Sequence, residues 1–334
     1  MARKSKFSKD IVISVVAPVY NEEQGITDFI AQVFSVLKKM DINHEVILVN
    51  DGSRDRTLQT IERQMKQYKN LRLIDLSRNY GREIAMTAGL DQSVGDYVVL
   101  MDSDLQDPPA LIPQLLDKLL AENLDTVYAA RSSREGESFL KKFSSKIFYR
   151  VASRVSGMSI PDNAGDYRVM SRRVVNAINS MKEHNRYLKM LYAYVGFKTG
   201  YVTFDRAART SGTSSYNWVK LINAALDAIF AFSSKPLRWM SLISVGISLL
   251  LMSYAGMVLV SKIIGNHTVE GWSSLMFMVS LMFSILFLFL SVLSEYIGRI
   301  LTESKNRPLY YLREENGSVH FQSQSIIQHD DSRR

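Results

Sequence analysis

Two long stretches without a charged residue, Trp239–Ser261 and Gly271–Ser294, limit what this chain can fold into. A helix needs about 20 consecutive apolar residues to cross the hydrocarbon core of a bilayer, and both stretches reach that length. A helix buried in a protein core can also be apolar throughout, but rarely over such a length twice in succession. The sequence therefore predicts two transmembrane helices within residues 235–298, at about 239–264 and 272–294.

Positive charges flank this predicted hairpin and are scarce within it. The connection between the spans carries one fixed positive charge, whereas the outer flanks carry several: Lys235, Arg238, Arg299, Lys305, Arg307 and Arg313. By the positive-inside rule, both flanks face the cytoplasm. We therefore expect a multi-pass protein of the cell (inner) membrane, with its N-terminal domain, both termini and a tail at residues 299–334 in the cytoplasm.

Residues 1–216 are typical of an α/β domain, because strand-length apolar runs alternate with helical patterns. The predicted strands are Ile11–Val19, Glu45–Asn50, Leu71–Ser77, Tyr97–Met101 and Thr126–Arg131. The predicted helices between them are Ile26–Lys39, Thr57–Tyr68, Glu83–Gln92 and Leu111–Leu120. This alternation predicts a Rossmann-like, mostly parallel sheet with right-handed crossovers.

Charge and composition narrow the chemistry further. The net charge is +8, which suits an anionic membrane surface or phosphate-bearing ligands and does not by itself distinguish these from nucleic acid. The chain has no cysteine, so disulfides and thiolate chemistry are excluded. It also has neither a Gly-x-Gly-x-x-Gly loop nor a Walker lysine loop, which weakens dinucleotide and P-loop interpretations.

An acidic segment follows the fourth predicted strand. Asp102, Asp104 and Gln106 occupy alternate positions there, so their side chains can converge beyond the carboxyl end of the strand, where α/β sheets bind ligands. Three oxygen donors in this arrangement suit Mg²⁺ or Mn²⁺ bridging a diphosphate. The alternative is a plain acidic turn that caps the next helix, a role that suits Asp107 before Pro108.

Two more polar segments follow the first and second predicted strands, Pro18–Glu23 and Asn50–Thr57. Asp51 leaves its strand at the same edge as Asp102, where a buried acceptor can take hydrogen bonds from a nucleobase imide or a ribose hydroxyl. The alternative is a simple helix entry in which Ser53 or Asp55 is the cap.

Four motifs, taken together and in order, resemble the family 2 glycosyltransferases: Ala17–Glu23, Asn50–Thr57, Ser77–Glu83 and Met101–Pro109. More narrowly, they resemble the dolichol-phosphate mannosyltransferase-like branch, which glycosylates polyprenyl phosphates. The C-terminal spans are similar to those of the bactoprenol glucosyltransferases. The resemblance covers the chain from about Ile11 to Leu312, and it implies a GT-A fold.

The resemblance also implies site residues, position by position. The residues that would hold the nucleotide are Pro18, Tyr20, Glu22, Asp51, Asp102, Arg206 and Arg209. Those that would bind Mg²⁺ or Mn²⁺ are Asp102, Asp104 and Gln106. Those that would receive the lipid phosphate are Arg131, Lys142 and Ser145, and those with a catalytic role are Asp104, Arg131 and Asp166. Two positions depart from the family, since Arg82 and Ser215 stand where lysine is common.

The expected mechanism follows from the charge of the acceptor. A phosphate monoester has a second pKa of about 6, so it is mostly a dianion at neutral pH and already nucleophilic. It needs positioning more than a general base, and we expect Arg131 and Lys142 to orient it for in-line attack with inversion. Asp166 would contact sugar hydroxyls or, less in keeping with this charge, act as a base.

Two amphipathic segments, residues 139–154 and 217–234, either pack on the domain core or lie along the membrane surface. Their basic or aromatic residues favour the surface, and the second is predicted to be an interfacial helix leading into the membrane.

The expected donor is UDP-glucose, with GDP-mannose as the alternative, and the expected acceptor is undecaprenyl phosphate in a lipid membrane. Small residues in the first span permit close helix packing and a homo-oligomer. We expect a separate flippase and no nucleic-acid partner. The competing functions are a polysaccharide synthase and an inactive nucleotide-sugar sensor or membrane scaffold.

Overall fold

The computed structural model describes residues 11–131, 164–184, 186–204 and 271–313, together with parts of 242–264. The strands are β1 Val12–Val19, β2 Asn43–Asn50, β3 Leu71–Asp75, β4 Tyr97–Leu100, β5 Thr126–Arg131, β6 Ala164–Ser171 and β7 Thr199–Phe204. The helices are α1 Ile26–Met40, α2 Thr57–Met65, α3 Arg82–Gln92, α4 Ile112–Ala121, α5 Arg172–Ser180, α6 Leu188–Tyr194 and α7 Trp272–Ser304. All five predicted strands and the four helices between them are confirmed, with small shifts of their bounds.

The strands form one seven-stranded sheet in the order β3-β2-β1-β4-β6-β5-β7. Strands β1 to β4 are mutually parallel, and β5 is parallel to β7. Strand β6, which was not predicted from the sequence, runs antiparallel between β4 and β5. The prediction of a mostly parallel α/β sheet is confirmed, and its ligand-binding edge is the one at which β1, β2, β4 and β5 end.

The antiparallel strand places one further acidic residue at this edge. In the pairing of β4 with β6, Leu100 lies opposite Arg168. Continuing the register by two residues brings Asp102 opposite Asp166. Two carboxylates that are 64 positions apart in the sequence therefore meet at the ligand-binding edge.

Apolar residues of β1 point alternately to the two faces of the sheet. Val15 and Ala17 lie in a core cluster with buried residues of α1 and α4, whereas Val16 lies in a second cluster with α3 and α5. The sheet is therefore covered by helices on both faces, which leaves the strand ends as the place for a ligand.

Gly89 sets the close approach of α3 to the sheet. A Cβ at this position would lie 2.2 Å from Val16 Cγ1 and 3.1 Å from Val49 Cγ2. We expect Gly89→Ala to destabilise the domain by about 1–3 kcal/mol, because the buried valines have no room to move. Thermal unfolding in detergent measures this, with Gly25→Ala as the matched control, since its Cβ would meet no atom closer than 3.6 Å. Equal melting temperatures of the two variants would contradict the prediction.

One helix in the described part of the chain is long and apolar enough to cross a membrane, judged by length and composition. It is Leu281–Ser304, the C-terminal part of α7. Helix α7 starts at Trp272, as predicted for the second span, and continues past residue 294 to Ser304. The first predicted span is described only in part, with residues 242–247 helical, so the hairpin remains a prediction. The amphipathic segments at 139–154 and 217–234 lie outside the described residues.

Candidate active site

The loops that follow β1 and β2 are fastened to each other by reciprocal hydrogen bonds. Asn21, in the left-handed region with φ 54°, donates its backbone N–H to Ser53 Oγ at 3.0 Å. Its side-chain Oδ1 accepts the N–H of Arg54 at 2.8 Å. The N–H of Glu22 is donated to Thr57 Oγ1 at 2.8 Å. The two predicted nucleotide-binding loops therefore form one unit at the ligand-binding edge.

Asp55 has the role that a simple helix entry predicts for it, at the start of α2. Its Oδ1 accepts the N–H of Thr57 at 3.0 Å and the Thr57 hydroxyl at 2.6 Å, which satisfies a donor at the start of α2. Ser53 instead accepts from Asn21. Capping and loop assembly thus account for these two residues.

Asp51 holds the next loop, residues 77–81, against the end of β2. Its carboxylate oxygens accept the backbone N–H groups of Tyr80 at 2.7 Å and Gly81 at 3.0 Å. Burial raises the pKa of Asp51, although these two hydrogen bonds act in the opposite direction. Gly52 (φ 65°) packs so tightly on the same loop that a Cβ would lie 2.5 Å from the Arg78 carbonyl carbon. A carboxylate has more lone pairs than the N–H groups of Tyr80 and Gly81 occupy, so Asp51 could still accept a hydrogen bond from a nucleoside.

Arg82, the first residue of α3, joins Asp102 and Asp166 in one ion-pair cluster. Its Nε and Nη2 donate to the two oxygens of Asp102, each at 2.9 Å. The same Nη2 lies 2.8 Å from Asp166 Oδ2. Burial raises the pKa of Asp102 to about 6 even though the Arg82 guanidinium lowers it. From the sequence, Arg82 was noted only as a departure from lysine and was given no role.

Beneath this cluster lies a buried polar layer that was also not predicted from the sequence. The Arg168 guanidinium stacks on the Tyr192 ring at 3.5 Å, and Glu83 Oε2 accepts the N–H of Leu188 at 3.0 Å. Burial and then the Asp166 carboxylate raise the pKa of Glu83. Within the described residues, the buried Asp166 Oδ1 has no hydrogen-bond partner. A buried carboxylate oxygen in this state would be satisfied by a hydrogen bond from a ligand hydroxyl.

Asp104 and Gln106 lie on the turn that follows β4. The turn passes through Leu105 in the left-handed region (φ 58°), and Asp104 Oδ1 accepts the N–H of Gln106 at 3.0 Å. Asp104 is exposed, and its negative charge adds to the effect of burial in raising the pKa of the nearby Glu22. Asp107 is buried beside Pro108, which precedes the short 3₁₀ turn at Pro109–Leu111, and its role as a cap stays a prediction.

These donors fit a hard divalent cation in their chemistry. Asp102 and Asp104 offer carboxylate oxygens, and Gln106 offers an amide oxygen. Negative groups are in excess here, because burial and then Asp104 raise the pKa of Glu22, and one oxygen of Asp166 has no partner among the described residues. Among the described residues no three acidic or histidine side chains form a ready-made metal cage. Such a site needs diphosphate oxygens and water to complete the coordination shell, as is usual for Mg²⁺.

The remaining predicted residues divide into two groups. Pro18 is buried and its carbonyl accepts the Ser103 hydroxyl at 2.9 Å, and Tyr20, which directly follows β1, is exposed. Arg131 ends β5 at the same edge of the sheet, opposite Phe204 of β7. The four predicted residues that lie outside the described residues are Lys142, Ser145, Arg206 and Arg209.

Comparisons with known proteins show which family this chain resembles. The profile of the family described as glycosyl transferase family 2 matches residues 14–178. An uncharacterized glycosyltransferase of Synechocystis sp. is 42% identical over 300 residues, which cover 90% of this chain and 94% of the relative. A bactoprenol glucosyl transferase of Shigella phage SfV is 37% identical over 305 residues, which cover 91% of this chain and 98% of the relative.

A solved structure that matches part of this chain is glucosyl-3-phosphoglycerate synthase from Mycobacterium tuberculosis, in complex with Mn²⁺ and uridine-diphosphate-glucose. It matches with a TM-score of 0.46 and 19% identity, over 66% of this chain and 77% of the other.

Proposed function

Because this chain belongs to glycosyl transferase family 2, we propose that it is a membrane-bound, inverting enzyme that moves glucose from UDP-glucose to a polyprenyl phosphate. The observation that carries the proposal is the 37% identity, over 91% of this chain, to a protein named bactoprenol glucosyl transferase. An alignment of that extent includes both the α/β domain and the apolar C-terminal region. The acceptor would be undecaprenyl phosphate, and the product a lipid-linked sugar for glycan modification at the cell envelope.

The donor would lie across the loops at the ends of β1, β2 and β4. The fastened loops around Tyr20, Glu22 and Asp51 would hold the nucleoside, and Asp102, Asp104 and Gln106 would hold Mg²⁺ or Mn²⁺. The bound cation would neutralise charge on the departing diphosphate. Arg82 already keeps Asp102 in a fixed orientation through two hydrogen bonds, so this ligand is in place before the donor arrives.

The acceptor phosphate would approach from the end of β5, where Arg131 leads into the basic segment that contains Lys142 and Ser145. Two cationic groups would align the phosphate dianion with the anomeric carbon, so that attack opposite the leaving group inverts the configuration. The buried Asp166, with one oxygen on Arg82 and the other without a partner in the described residues, would accept hydrogen bonds from sugar hydroxyls.

Helix α7 would anchor the domain in the membrane. Its apolar part is not covered by the α/β domain, since none of the apolar window within Leu281–Ser304 is buried in the described structure. Hydrocarbon tails are the environment that such a surface requires. A second span before it, with the domain and both termini in the cytoplasm, would complete the anchor, and Mg²⁺-dependent transfer would then occur at the cytoplasmic surface.

Transfer of labelled sugar by membranes that contain the chain tests the reaction and the donor together. We would supply a panel of UDP- and GDP-sugars and separate lipid-soluble from water-soluble label. Label in the lipid fraction from UDP-glucose supports the proposal, and label from GDP-mannose alone would overturn the choice of sugar. Long water-soluble chains would indicate a polysaccharide synthase, and nucleotide binding without any transfer would indicate a sensor or scaffold.

We expect metal binding to weaken as the pH falls through about 6. The pKa of Asp102 is raised to about 6 by burial, and a protonated carboxyl does not ligate a divalent cation, so affinity is full above this pH and lost below it. Arg82→Gln removes the charge that lowers this pKa, so the midpoint should move to higher pH. Mn²⁺ titration across pH measures both, with the exposed Arg63→Gln as control. An unchanged midpoint in Arg82→Gln would contradict the assignment of Asp102.

A further inference from the structure

The chain returns from its C-terminal helix to the α/β domain. Beyond α7, residues 309–313, which we call the strap, reach β3 at the edge of the sheet. Leu312 forms an antiparallel bridge with Leu76, just after β3. The N–H of Ser77 donates to the Tyr311 carbonyl at 2.9 Å, and the N–H of Arg313 donates to the Asp75 carbonyl at 2.9 Å. The strap thus forms an isolated antiparallel bridge just beyond the end of β3, the strand at one side of the sheet.

Side chains on the strap reinforce this backbone pairing. Arg313 Nη1 lies 3.4 Å from Asp75 Oδ2, and the Tyr310 hydroxyl donates to Asp91 Oδ2 at 3.2 Å. The Tyr310 ring also packs against the core cluster that contains α3. Asp75 in turn accepts a hydrogen bond from Asn50 Nδ2 at 2.6 Å, which links the strap to the end of β2. The strap is therefore integrated into the domain through charge, hydrogen bonds and apolar packing.

A second connection ties the end of α7 itself to the domain. Glu303 Oε1 accepts the N–H of His184 at 2.9 Å, and its Oε2 lies 3.2 Å from His184 Nδ1. His184 Nε2 lies 2.8 Å from the Arg307 carbonyl. The helix end and the strap therefore hold the domain at two separate places, which fixes its orientation better than one contact could.

Helix α7 is longer than the hydrocarbon core of a bilayer is thick, so its connections to the domain can set the domain's orientation. Its 33 residues span about 50 Å at 1.5 Å per residue, whereas the hydrocarbon core of a bilayer is about 30 Å thick. The helix therefore exceeds the hydrocarbon core by about 20 Å, and because its charged residues Glu295, Arg299 and Glu303 lie near its C-terminus, the excess is expected at that end, where the domain meets it. Without the strap, the described contacts of the domain with the end of α7 would be those of His184 with Glu303 and Arg307, about which the domain could pivot.

We propose that the strap is a positioning device that fixes the α/β domain on the end of α7. The candidate active site, at the carboxyl ends of the strands, is thereby held at the height and angle that a membrane-embedded acceptor requires. This rests on the proposed function. The strap ends its pairing at Ser77, and the loop after Ser77 carries Tyr80 and leads to Arg82. That loop has its own support from Asp51, so the strap is needed to orient the site and not to shape it.

A pair of truncations separates orientation from folding. A chain ending at Pro308 lacks the strap, and a chain ending at Asn316 keeps the strap and lacks only residues 317–334. Each would be assayed in liposomes with a full-length polyprenyl phosphate and in detergent with a short, water-soluble isoprenyl phosphate. We expect the shorter chain to lose at least about tenfold in the rate of transfer to the membrane-embedded acceptor, because small misplacements of reacting groups cost that much. Its rate of transfer to the soluble acceptor should stay within about twofold of that of the full chain.

The longer truncation should match the full chain on both acceptors. Equal losses on the two acceptors in the chain ending at Pro308 would overturn the proposal, because the strap would then be needed for the site itself. No loss on either would overturn it as well.

An engineered disulfide tests whether the docked strap is the active state. Leu76 and Leu312 form a non-hydrogen-bonded antiparallel pair, the geometry in which Cα atoms come within reach of a disulfide, and the chain has no cysteine of its own. We expect Leu76→Cys/Leu312→Cys to cross-link within one chain on oxidation and to keep the transfer activity of its reduced form. The single variants are controls for the lost leucine packing.

Three results of the disulfide experiment would overturn the proposal: no cross-link, a cross-link between chains, or a cross-link that abolishes transfer. Failure of the proposed function would look different. The full-length chain would then transfer sugar to neither acceptor, whereas the cross-link would still report where the strap lies.

Discussion

Asp104→Asn is expected to lower metal-dependent sugar transfer by about 10²- to 10³-fold, the usual cost of losing one group that stabilises developing charge. Asp104 is exposed on the turn after β4, where its carboxylate accepts the N–H of Gln106. Asparagine keeps the size and an acceptor oxygen for that turn but removes the negative charge. Turnover at saturating donor, with Mg²⁺ and with Mn²⁺, measures the loss.

The same variant should also lose Mn²⁺ affinity in the absence of any donor, measured by direct titration of the purified protein. Asp41→Asn is the matched control, because Asp41 is exposed at the C-terminal end of α1, which lies at the opposite end of the sheet from the ligand-binding edge. Unchanged transfer and unchanged Mn²⁺ binding in Asp104→Asn would rule out the metal assignment. Lost transfer with unchanged Mn²⁺ binding would move Asp104 to a role in donor binding.

Asp166→Asn is expected to lower turnover by about 10²- to 10⁴-fold, whether the carboxylate binds the sugar or takes a proton. Asp166 is buried beside Arg82, with its second oxygen unpartnered among the described residues. The two roles separate kinetically. Loss of a sugar contact weakens donor binding and relaxes the choice of sugar, whereas loss of a base lowers kcat and leaves donor affinity unchanged.

Glu83→Gln is the control that tests whether the loss of one negative charge beneath the site is enough to lower turnover. It removes a negative charge close to Asp166, while its amide oxygen can still accept the N–H of Leu188. We expect a loss of less than about tenfold, because Glu83 lies below the site and touches no reacting atom. Near-normal turnover with tight sugar selectivity in Asp166→Asn would rule out both roles of Asp166.

The sequence was sufficient for the features that are local. Strand-length apolar runs predicted β1 to β5, and the short polar segments that come after them predicted which loops meet at the ligand-binding edge. This works because the carboxyl ends of parallel strands share one edge, so each loop can be placed without knowing the others.

The features that the sequence did not predict depend on long-range register. Strand β6 carries Asp166 and Arg168 among its apolar residues, so it lacks the continuous apolar run of its neighbours, and its antiparallel pairing with β4 is what brings Asp166 to Asp102. The role of Arg82 follows from that meeting. The sequence around Arg82 does not indicate that its side chain contacts two carboxylates that are 20 and 84 positions further along the chain.

The strap is a second feature of this kind. A segment of five residues has no periodicity from which to predict a strand, and from the sequence it was assigned to a cytoplasmic tail that begins at residue 299. Its pairing with residues 75–77 depends on where α7 ends relative to the domain. Hydrogen bonds between segments more than 230 positions apart leave no local pattern.

The most direct test of the central claim is transfer from labelled UDP-glucose to polyprenyl phosphate by the purified full-length chain in liposomes, with Mg²⁺ and with a chelator. We expect label in the lipid fraction that depends on the divalent cation and disappears in Asp104→Asn. Absence of lipid-bound label from UDP-glucose, in a preparation that still binds the nucleotide, would contradict the proposed function.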